Sequence, residues 1–578
     1  MATLPPQSTD ADWVARMADE VIAESELRAP GKPVVVASGI SPSGPIHLGN
    51  LREIMVPHLV ADEVRRRGIA CDHVLSWDDF DRLRRVPANI DQSWAEHIGR
   101  PLTSVPAPPG SPYASWAEHF RAPMEVALAR MGVEYRGISQ TQMYTSGAYV
   151  DQVLLAMRER EHIDQVLGRY RTKAAARPAQ ATPAGATADE TEAAAAAAEG
   201  SGAASEDDGA SSAGYFPYKP YCSVCDRDFT TVTSYDDETT QMSYTCQCGH
   251  SETVLLKDHR RGKLVWKVDW PMRWAYEGVI FEPSGVDHQS PGSSFVVGGQ
   301  LVSEIFGGKQ PIGPMYAFVG ISGMSKMSSS RGAVPTPGDA LEIMEEFLLR
   351  WLYTRRRPQQ AFTIALDAEL HRLYDEWDAV ERRVAGGNAS ELDISAYDRA
   401  IRTAAGELPR TPRPLPYRTL ASVADITTGD PVQTLRILSD LDPGHPIASL
   451  DEVRPRLDRA QCWVATQLPA AQRTRLHDEP DRTALDALSD SERGALKLLA
   501  DGLEEHWSLD GLSQLVYAVP KLQAGLPADA KPTPELKVAQ RQFFALVYRL
   551  LIGTETGPRL PTLLLAAGPA RVRALLGG

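Results

Sequence analysis

The sequence predicts an α/β fold, a doubly wound parallel sheet split by a cysteine-bearing insertion and followed by an all-α C-terminal helical domain. Three observations carry this. Val34-Val35-Val36 breaks into a turn of small residues and prolines, and apolar positions then recur at helical spacing at Leu48, Leu51, Met55, Leu59 and Val64, which is the pattern strand, turn, helix. Four of the six cysteines crowd into the 27 residues from Cys222 to Cys248. Beyond Asp339, Leu341, Ile343, Met344, Phe347, Leu348, Trp351 and Leu352 form one apolar face, and similar patterns recur to the C-terminus.

Length and charge bound what such a fold can do. At 578 residues the chain has room for about three or four domains. Its formal net charge of -15 speaks against DNA binding through a general basic surface. Phosphates need only local patches, for which Arg65-Arg66-Arg67 and Arg355-Arg356-Arg357 are candidates; the alternative for each is a solvated helix face. No run of eighteen apolar residues occurs, and Met1-Ala2-Thr3-Leu4-Pro5-Pro6 is neither a basic nor an apolar leader. No membrane association is expected, and cytoplasmic residence follows.

Residues 1–165 are expected to hold the first half of the sheet domain. An amphipathic helix with Trp13, Met17, Val21 and Ile22 on one side comes first. In the turn after the valines, Ser43 can cap the next helix and Pro45 suits its first turn, so free backbone N–H groups would face whatever lies over the turn. His47 falls in that first turn. A histidine donor beside a helix N-terminus suits a polyphosphate and the charge that develops when a phosphate is attacked; the alternative is an ordinary helix-start histidine. Residues 69–77 read as a second strand, ending in Ser76-Trp77-Asp78-Asp79-Phe80-Asp81, at the edge where such sheets collect ligands. Asp78 is there either a pocket wall for a cation or a turn partner for Arg82, Arg84 and Arg85, with Asp79 the second candidate. His119 has no neighbour at metal spacing and reads as structural. Residues 133–139 suggest a third strand and residues 146–170 a helix.

Residues 173–214 are alanine, glycine, serine and threonine with scattered acids, too poor in large apolar side chains to offset the entropy of ordering, and disorder is expected. In residues 215–258, Cys222-x2-Cys225 is followed after twenty residues by Cys246-x-Cys248-Gly249-His250. This zinc-ribbon arrangement suits a structural, tetrahedral Zn²⁺ with no open position. Cys248 and His250 compete for the fourth place, and a pair of disulfides is the alternative that a reducing compartment disfavours. Residues 259–338 resume the sheet domain. Residues 265–270 alternate like a strand, and Gly285-Val286-Asp287-His288 marks a turn. Gly323-Met324-Ser325-Lys326-Met327-Ser328-Ser329-Ser330-Arg331-Gly332 packs hydroxyls, glycines and one lysine into a loop suited to closing over phosphates. Residues 339–578 read as helices without a convincing strand.

The two phosphate-directed stretches, Ile46-His47-Leu48-Gly49-Asn50 and Lys326-Met327-Ser328-Ser329-Ser330, resemble in order and separation the His-Ile-Gly-His and Lys-Met-Ser-Lys-Ser signatures of class I aminoacyl-tRNA synthetases. Asn50 replaces the second histidine and Ser329 the second lysine, which leaves open whether Arg331 shares the role of Lys326. The flanks, Ala37 to Asn50 and Ser76 to Pro87, resemble the class I lysyl-tRNA synthetases. The resemblance covers most of the chain, excepting the insertion and the extreme termini.

It implies a Rossmann-type catalytic domain that activates lysine with ATP to lysyl-adenylate and transfers it to the terminal adenosine of tRNA(Lys), with a helical cage for the anticodon. It implies His47 and Lys326 as catalytic residues, Ser43, Gly44, Asn50, Asp287 and Ser328 also on ATP, and Mg²⁺ on the β and γ oxygens. Gly39, Ser41, Asp78, Trp266, His288 and Tyr316 would surround the lysine, since aromatic walls suit an aliphatic stem ending in a cation; the last three could each be plain core instead. A glutamate-type synthetase is one rival, against which Asp78 and Asp79 speak. A binding paralogue that does not charge tRNA is the other, raised by Asn50 and Ser329.

Overall fold

The computed structural model describes residues 12–175, 209–211, 213–289, 293–322, 334–531 and 533–577. The chain divides into two compact units: Met1–Ala340 with Glu346–Ala365 and Arg383–Leu408, and Leu341–Glu345 with Leu366–Arg382 and Pro409–Gly578.

The first unit is built on parallel strands β1 (Val34–Ile40), β2 (Cys71–Trp77) and β3 (Arg136–Ser139), in the order β1-β2-β3. β1 and β2 run in register from Val34 opposite Cys71 to Ile40 opposite Trp77. On the far side of β1, parallel bridges from Val36 to Phe281 and from Phe281 to Ile312 continue the sheet. Strand order thus reverses at β1, and the crevice for a ligand opens outside the C-terminal ends of β1 and the segment after Phe281. The predicted doubly wound sheet is present, and β1 is buried on both faces, as a central parallel strand must be.

Helix α1 (Trp13–Arg28) and helix α2 (Leu51–Arg66) flank the strands. α2 starts later than Ser43 and Pro45 suggest: Asn50 is its N-cap residue, and residues 44–50 form the approach to it. Two causes are local. Gly44 precedes a proline, which disfavours helical backbone, and the N–H of Leu48 is committed to Pro335 O at 3.0 Å, not to a helical carbonyl. The first arginine triplet closes α2 against its own unit. Arg66 pairs with Asp62 (3.0 Å) and Asp398 (2.5 Å), Arg67 with Glu63 and Asp19, and Arg65 donates to Cys71 O. In the second triplet, Arg355 and Arg356 lie over the rings of Trp351 and Phe362. Neither triplet is therefore a plainly solvated face.

After α3 (Trp116–Arg130) and the short α4 (Gln140–Ser146), the expected helix at 146–170 is two helices, α5 (Val150–Arg158) and α6 (Arg160–Ala175). Of the segment expected to be disordered, residues 176–208 and 212 lie outside the described residues. Its ends are ordered: α6 runs to Ala175, and β4 (Ala210–Ser211) pairs with β5 (Gly214–Tyr215). The insertion follows as β6 (Tyr218–Pro220), the antiparallel meander β7 (Thr230–Tyr235), β8 (Gln241–Cys246) and β9 (Ser251–Leu255), and β10 (Gly262–Leu264), which returns to pair with β6.

Residues 265–270 are not a strand. They open α7 (Trp266–Glu277), which ends at Gly278 with φ 67°, a left-handed position that glycine adopts without strain. Its ordering force is a tryptophan stripe. Trp266 stacks on Trp270 at 5.1 Å, and Trp270 meets Trp274 at 5.0 Å, a four-residue spacing that only a helix brings onto one face.

The second unit is helical, with a core from Leu496, Leu499, Val516, Phe543, Leu550, Leu563 and their neighbours. The region after residue 339 does include strands: Phe362–Ile364 pairs in parallel with Val319–Ile321 in the first unit. Among the described residues no helix is long and apolar enough to cross a membrane.

A buried ion network stiffens the second unit. Arg456 donates to Glu345 (2.8 Å) and Asp378 (2.9 Å), and Glu345 also accepts from Thr411 (2.6 Å). Both Arg456 and Glu345 are almost wholly buried. Arg456→Met leaves Glu345 without its cation and is expected to destabilise this unit by about 3–5 kcal/mol, measured by denaturant unfolding.

Candidate functional site

The crevice at the switch point has two walls. The first is the segment from β1 to α2. Gly39 lies near the end of β1, and a Cβ added there would come no closer than 3.8 Å to Ser76, so the fold itself does not need a glycine; the missing side chain leaves room. Ser41 follows half-buried, Ser43 is exposed and Gly44 buried. Ser43 accepts from Trp116 Nε1 through its carbonyl at 3.1 Å, which fixes the turn to α3.

His47 stands between the buried side chains of Ile46 and Leu48. Its Nδ1 accepts from the Gly49 N–H at 3.1 Å, and its own N–H donates to Asn50 Oδ1 at 3.2 Å. With Nδ1 an acceptor, the ring's proton is on Nε2. Burial lowers its pKa to about 4, so the imidazole is a neutral Nε2–H donor at physiological pH. Asn50 braces this turn from its N-cap position.

The second wall combines the end of β2 with α7. Asp78, anchored by its N–H to Ile40 O (2.9 Å), accepts from Arg273 at 2.5 Å. Arg273 also donates to Asp269 and reaches Ser76 Oγ at 3.1 Å. Lys263 of β10 pairs with Asp81 and lies 3.3 Å from Asp269, which accepts from Tyr144 at 2.5 Å. Burial pushes Asp78 above the usual carboxylate range although Arg273 opposes it. Burial acts the same way on Asp81, but Lys263 and Arg84 outweigh it and its pKa falls. Asp79 is withdrawn from the crevice, accepting from Ser139 Oγ (2.7 Å) and the Thr141 N–H (2.8 Å).

Trp266 is half-buried on this wall, with the Arg273 guanidinium over its ring at 5.6 Å. His288 meets Trp270 edge-on at 5.6 Å. Tyr316 pairs through β12 (Met315–Tyr316) with β11 (Ser284–Gly285), its partner being Gly285. Asp287 lies with His288 in a short 3₁₀ turn. Five residues before it, Glu282 accepts from Trp270 Nε1 (3.1 Å) and Trp274 Nε1 (2.5 Å).

Lys326, Ser328, Ser329 and Arg331 lie outside the described residues. The chain on either side is tied down: Ser322 N–H donates to Ile364 O and Pro335 O accepts from Leu48, both at 3.0 Å. Arg52 of α2 donates to the carbonyls of Ala317 (2.6 Å), Arg357 (3.1 Å) and Gln360 (2.8 Å), and so links the helix after the His47 turn to the segment before the loop.

Sequence reasoning missed Arg52, Arg273, Glu282 and the Trp270–Trp274 pair. Only α7 offered a signal, in tryptophans four apart and an Asp269–Arg273 pair at the same spacing.

The thiols of Cys222, Cys225, Cys246 and Cys248 lie within 4.8 Å of one another. Cys222 and Cys248 are 3.7 Å apart, Cys225 and Cys246 3.6 Å. Tetrahedral Zn–S bonds of about 2.3 Å put sulfurs about 3.75 Å apart, so the four donors fit zinc. Each loop turns through a positive φ, at Asp226 (60°) and Gly249 (90°), and the His250 N–H lowers the Cys248 thiol to about 7, favouring the ligating thiolate. The imidazole of His250 is engaged elsewhere, with Ser223 (3.1 Å) and Glu252 (3.5 Å).

Comparison with known proteins bears on all of this. A family model described as "tRNA synthetases class I (K)" matches residues 11–405. A lysine–tRNA ligase of Streptomyces coelicolor is 67% identical over 580 residues, 99% of each chain. One from Pyrococcus horikoshii is 31% identical over 96% of each. Among solved structures, a glutamate tRNA ligase from Elizabethkingia meningosepticum aligns with a TM-score of 0.40 and 13% identity over 94% of this chain and 99% of that one. The switch-point crevice, its histidine turn and the family match define a class I aminoacyl-tRNA synthetase core. Within that class the chain belongs to the lysyl-tRNA synthetase family.

Proposed function

We propose that the chain is a lysine–tRNA ligase that activates lysine with ATP and charges tRNA(Lys) in the cytoplasm. What supports this is a neutral histidine donor on the turn that follows β1 and an acidic, tryptophan-bearing segment at the end of the neighbouring β2, in a chain of that family.

The chemistry needs no protein nucleophile. A lysine carboxylate oxygen bonds to the α-phosphorus of ATP as the bond from that phosphorus to the bridging oxygen breaks, releasing pyrophosphate. The terminal adenosine 2′-hydroxyl then attacks the lysyl carbonyl and AMP leaves. Catalysis is positioning and charge stabilisation. His47 donates from Nε2 to the phosphates, with the backbone of Ser43 and Gly44 and the Asn50 brace around it. Asp287 lies toward the nucleotide. Lys326 and Ser328 would bind the pyrophosphate end, where Mg²⁺ arriving with ATP would neutralise phosphate charge. Gly39 and Ser41 line the amino-acid site, Trp266, His288 and Tyr316 wall its stem, and Asp78 borders it. Zn²⁺ on the four cysteines is structural.

The test is ATP–pyrophosphate exchange with each of the twenty amino acids, with and without bulk tRNA. Lysine alone should support it, and Lys326→Ala should abolish it. Exchange driven by glutamate, or none from folded, metal-loaded protein, would sink the reading.

A further inference from the structure

The acids around the crevice do not share one electrostatic situation. Asp78 contacts Arg273, Asp269 contacts Arg273 and Lys263, and Asp81 contacts Lys263. Each has a protein cation against it. Glu282 is 7% exposed and has none: among the described residues its oxygens meet only the indole N–H groups of Trp270 and Trp274. Such donors satisfy hydrogen bonding and fix the carboxylate, but they carry no formal charge to balance it.

Its position matters as much as its charge. Glu282 follows Phe281, whose bridge to Val36 sets it beside β1, the strand at which the order reverses. Trp270, which it holds, stacks on Trp266 and meets His288 edge-on, so the carboxylate lies at the N–H edge of the aromatic wall. A fixed carboxylate with no cation in contact, held at the edge of an aromatic wall, is a receptor for an organic cation.

We propose that Glu282 is the specificity-determining carboxylate of the amino-acid pocket, receiving the substrate's side-chain ammonium at the edge of the Trp266–Trp270 pair. Asp78, already neutralised by Arg273, shapes the wall without supplying net charge. The proposal rests on the lysine reading above and names the group that reads the substrate's charge.

A pH dependence follows. Burial raises Glu282 to about 7; the two indoles and Arg273 pull it down, and Asp78 pushes it up. Of the further charges on the packed elements, Asp269 pairs with both Lys263 and Arg273, and His288 faces the same Trp270. The receptor is charged above neutrality and lost below it, so the KM for lysine should rise as pH falls from about 8 to 6, while the KM for ATP does not.

The experiment is exchange kinetics on the full chain carrying Glu282→Gln, with norleucine, which keeps the stem and lacks the ammonium, as a competitive inhibitor. Lysine KM should rise about 30-fold or more and lose its pH dependence, with kcat and ATP KM little changed and norleucine inhibition unaltered. Asp78→Asn should keep the preference for lysine over norleucine. A lysine KM within about threefold of the parent, or equal weakening of lysine and norleucine, overturns the proposal; the latter makes Glu282 only a prop for the tryptophans. If the glutamine variant does not fold, a parent lysine KM that is flat between about pH 6 and 8 overturns it. Absence of lysine-dependent exchange in the parent would instead overturn the functional reading.

Discussion

His47→Ala is expected to lower the rate of ATP–pyrophosphate exchange by about 10²–10³, with the KM for lysine changed far less. The imidazole is not a general base and not a cation. Its Nδ1 is occupied by the Gly49 N–H, and burial keeps it neutral down to about pH 4. On the proposed reading, alanine removes one Nε2–H donor to the negative charge that accumulates on the α-phosphate, an interaction that belongs to the transition state more than to bound ATP. The sign of the pH effect is fixed by the lowered pKa. The neutral form works, so the contribution is present at all pH values above about 4 and is lost only as pH falls through it, where protonating Nδ1 would also break the Gly49 contact. A kcat profile with a histidine-like limb near 6.5 that vanishes in His47→Ala would contradict this. Asn50→Ala, which removes only the acceptor for the His47 N–H, should cost less.

How much of this was legible in the sequence depended on whether each feature is local. β1, the approach to α2 and the end of β2 were, because a β-branched run, a proline-rich turn and an acidic strand end are written in consecutive residues. The start of α2 was not, since the Leu48 N–H is claimed by Pro335, far along the chain. At the start of α7, Trp266, Val268 and Trp270 alternate with Lys267 and Asp269 as in a strand, and Pro271 stands where a helix interior is not expected. The three tryptophans decide the matter by packing, and Gly278 ends the helix in a left-handed conformation. The charge state of the acids was hidden altogether. Asp78 looks free in sequence until Arg273 is folded onto it, and Glu282 belongs to no motif. The four cysteines were the opposite case, with ligand spacing close enough to read directly; His250 is drawn off by Ser223 and Glu252.

Removing metal from the four-cysteine site should have the largest effect on the insertion, and should reach the crevice. The meander β7–β9 offers Met242, Tyr244 and Val232 to a larger core, but the loops that carry the cysteines have little apolar surface of their own: Val224 and Cys248 are exposed. Bound Zn²⁺ contributes about 10–16 kcal/mol in isolated zinc-finger peptides, so chelation should leave these loops unable to hold their turns at Asp226 and Gly249. One zinc per chain should be released on titrating the thiols, and hydrogen exchange should accelerate in residues 221–250. The link onward is covalent and short. β10 returns from the insertion to pair with β6, and it delivers Lys263 to Asp81 and Asp269. Loss of that ammonium leaves Asp269 with Arg273 alone and draws Arg273 away from Asp78, so the wall that shapes the amino-acid pocket loses its geometry. Exchange activity should therefore fall with metal loss, and Lys263→Met, which spares the cysteines and the zinc, should reproduce the fall in activity without release of metal. If Lys263→Met leaves lysine kinetics untouched, the insertion acts on the crevice by some other route than this charge relay.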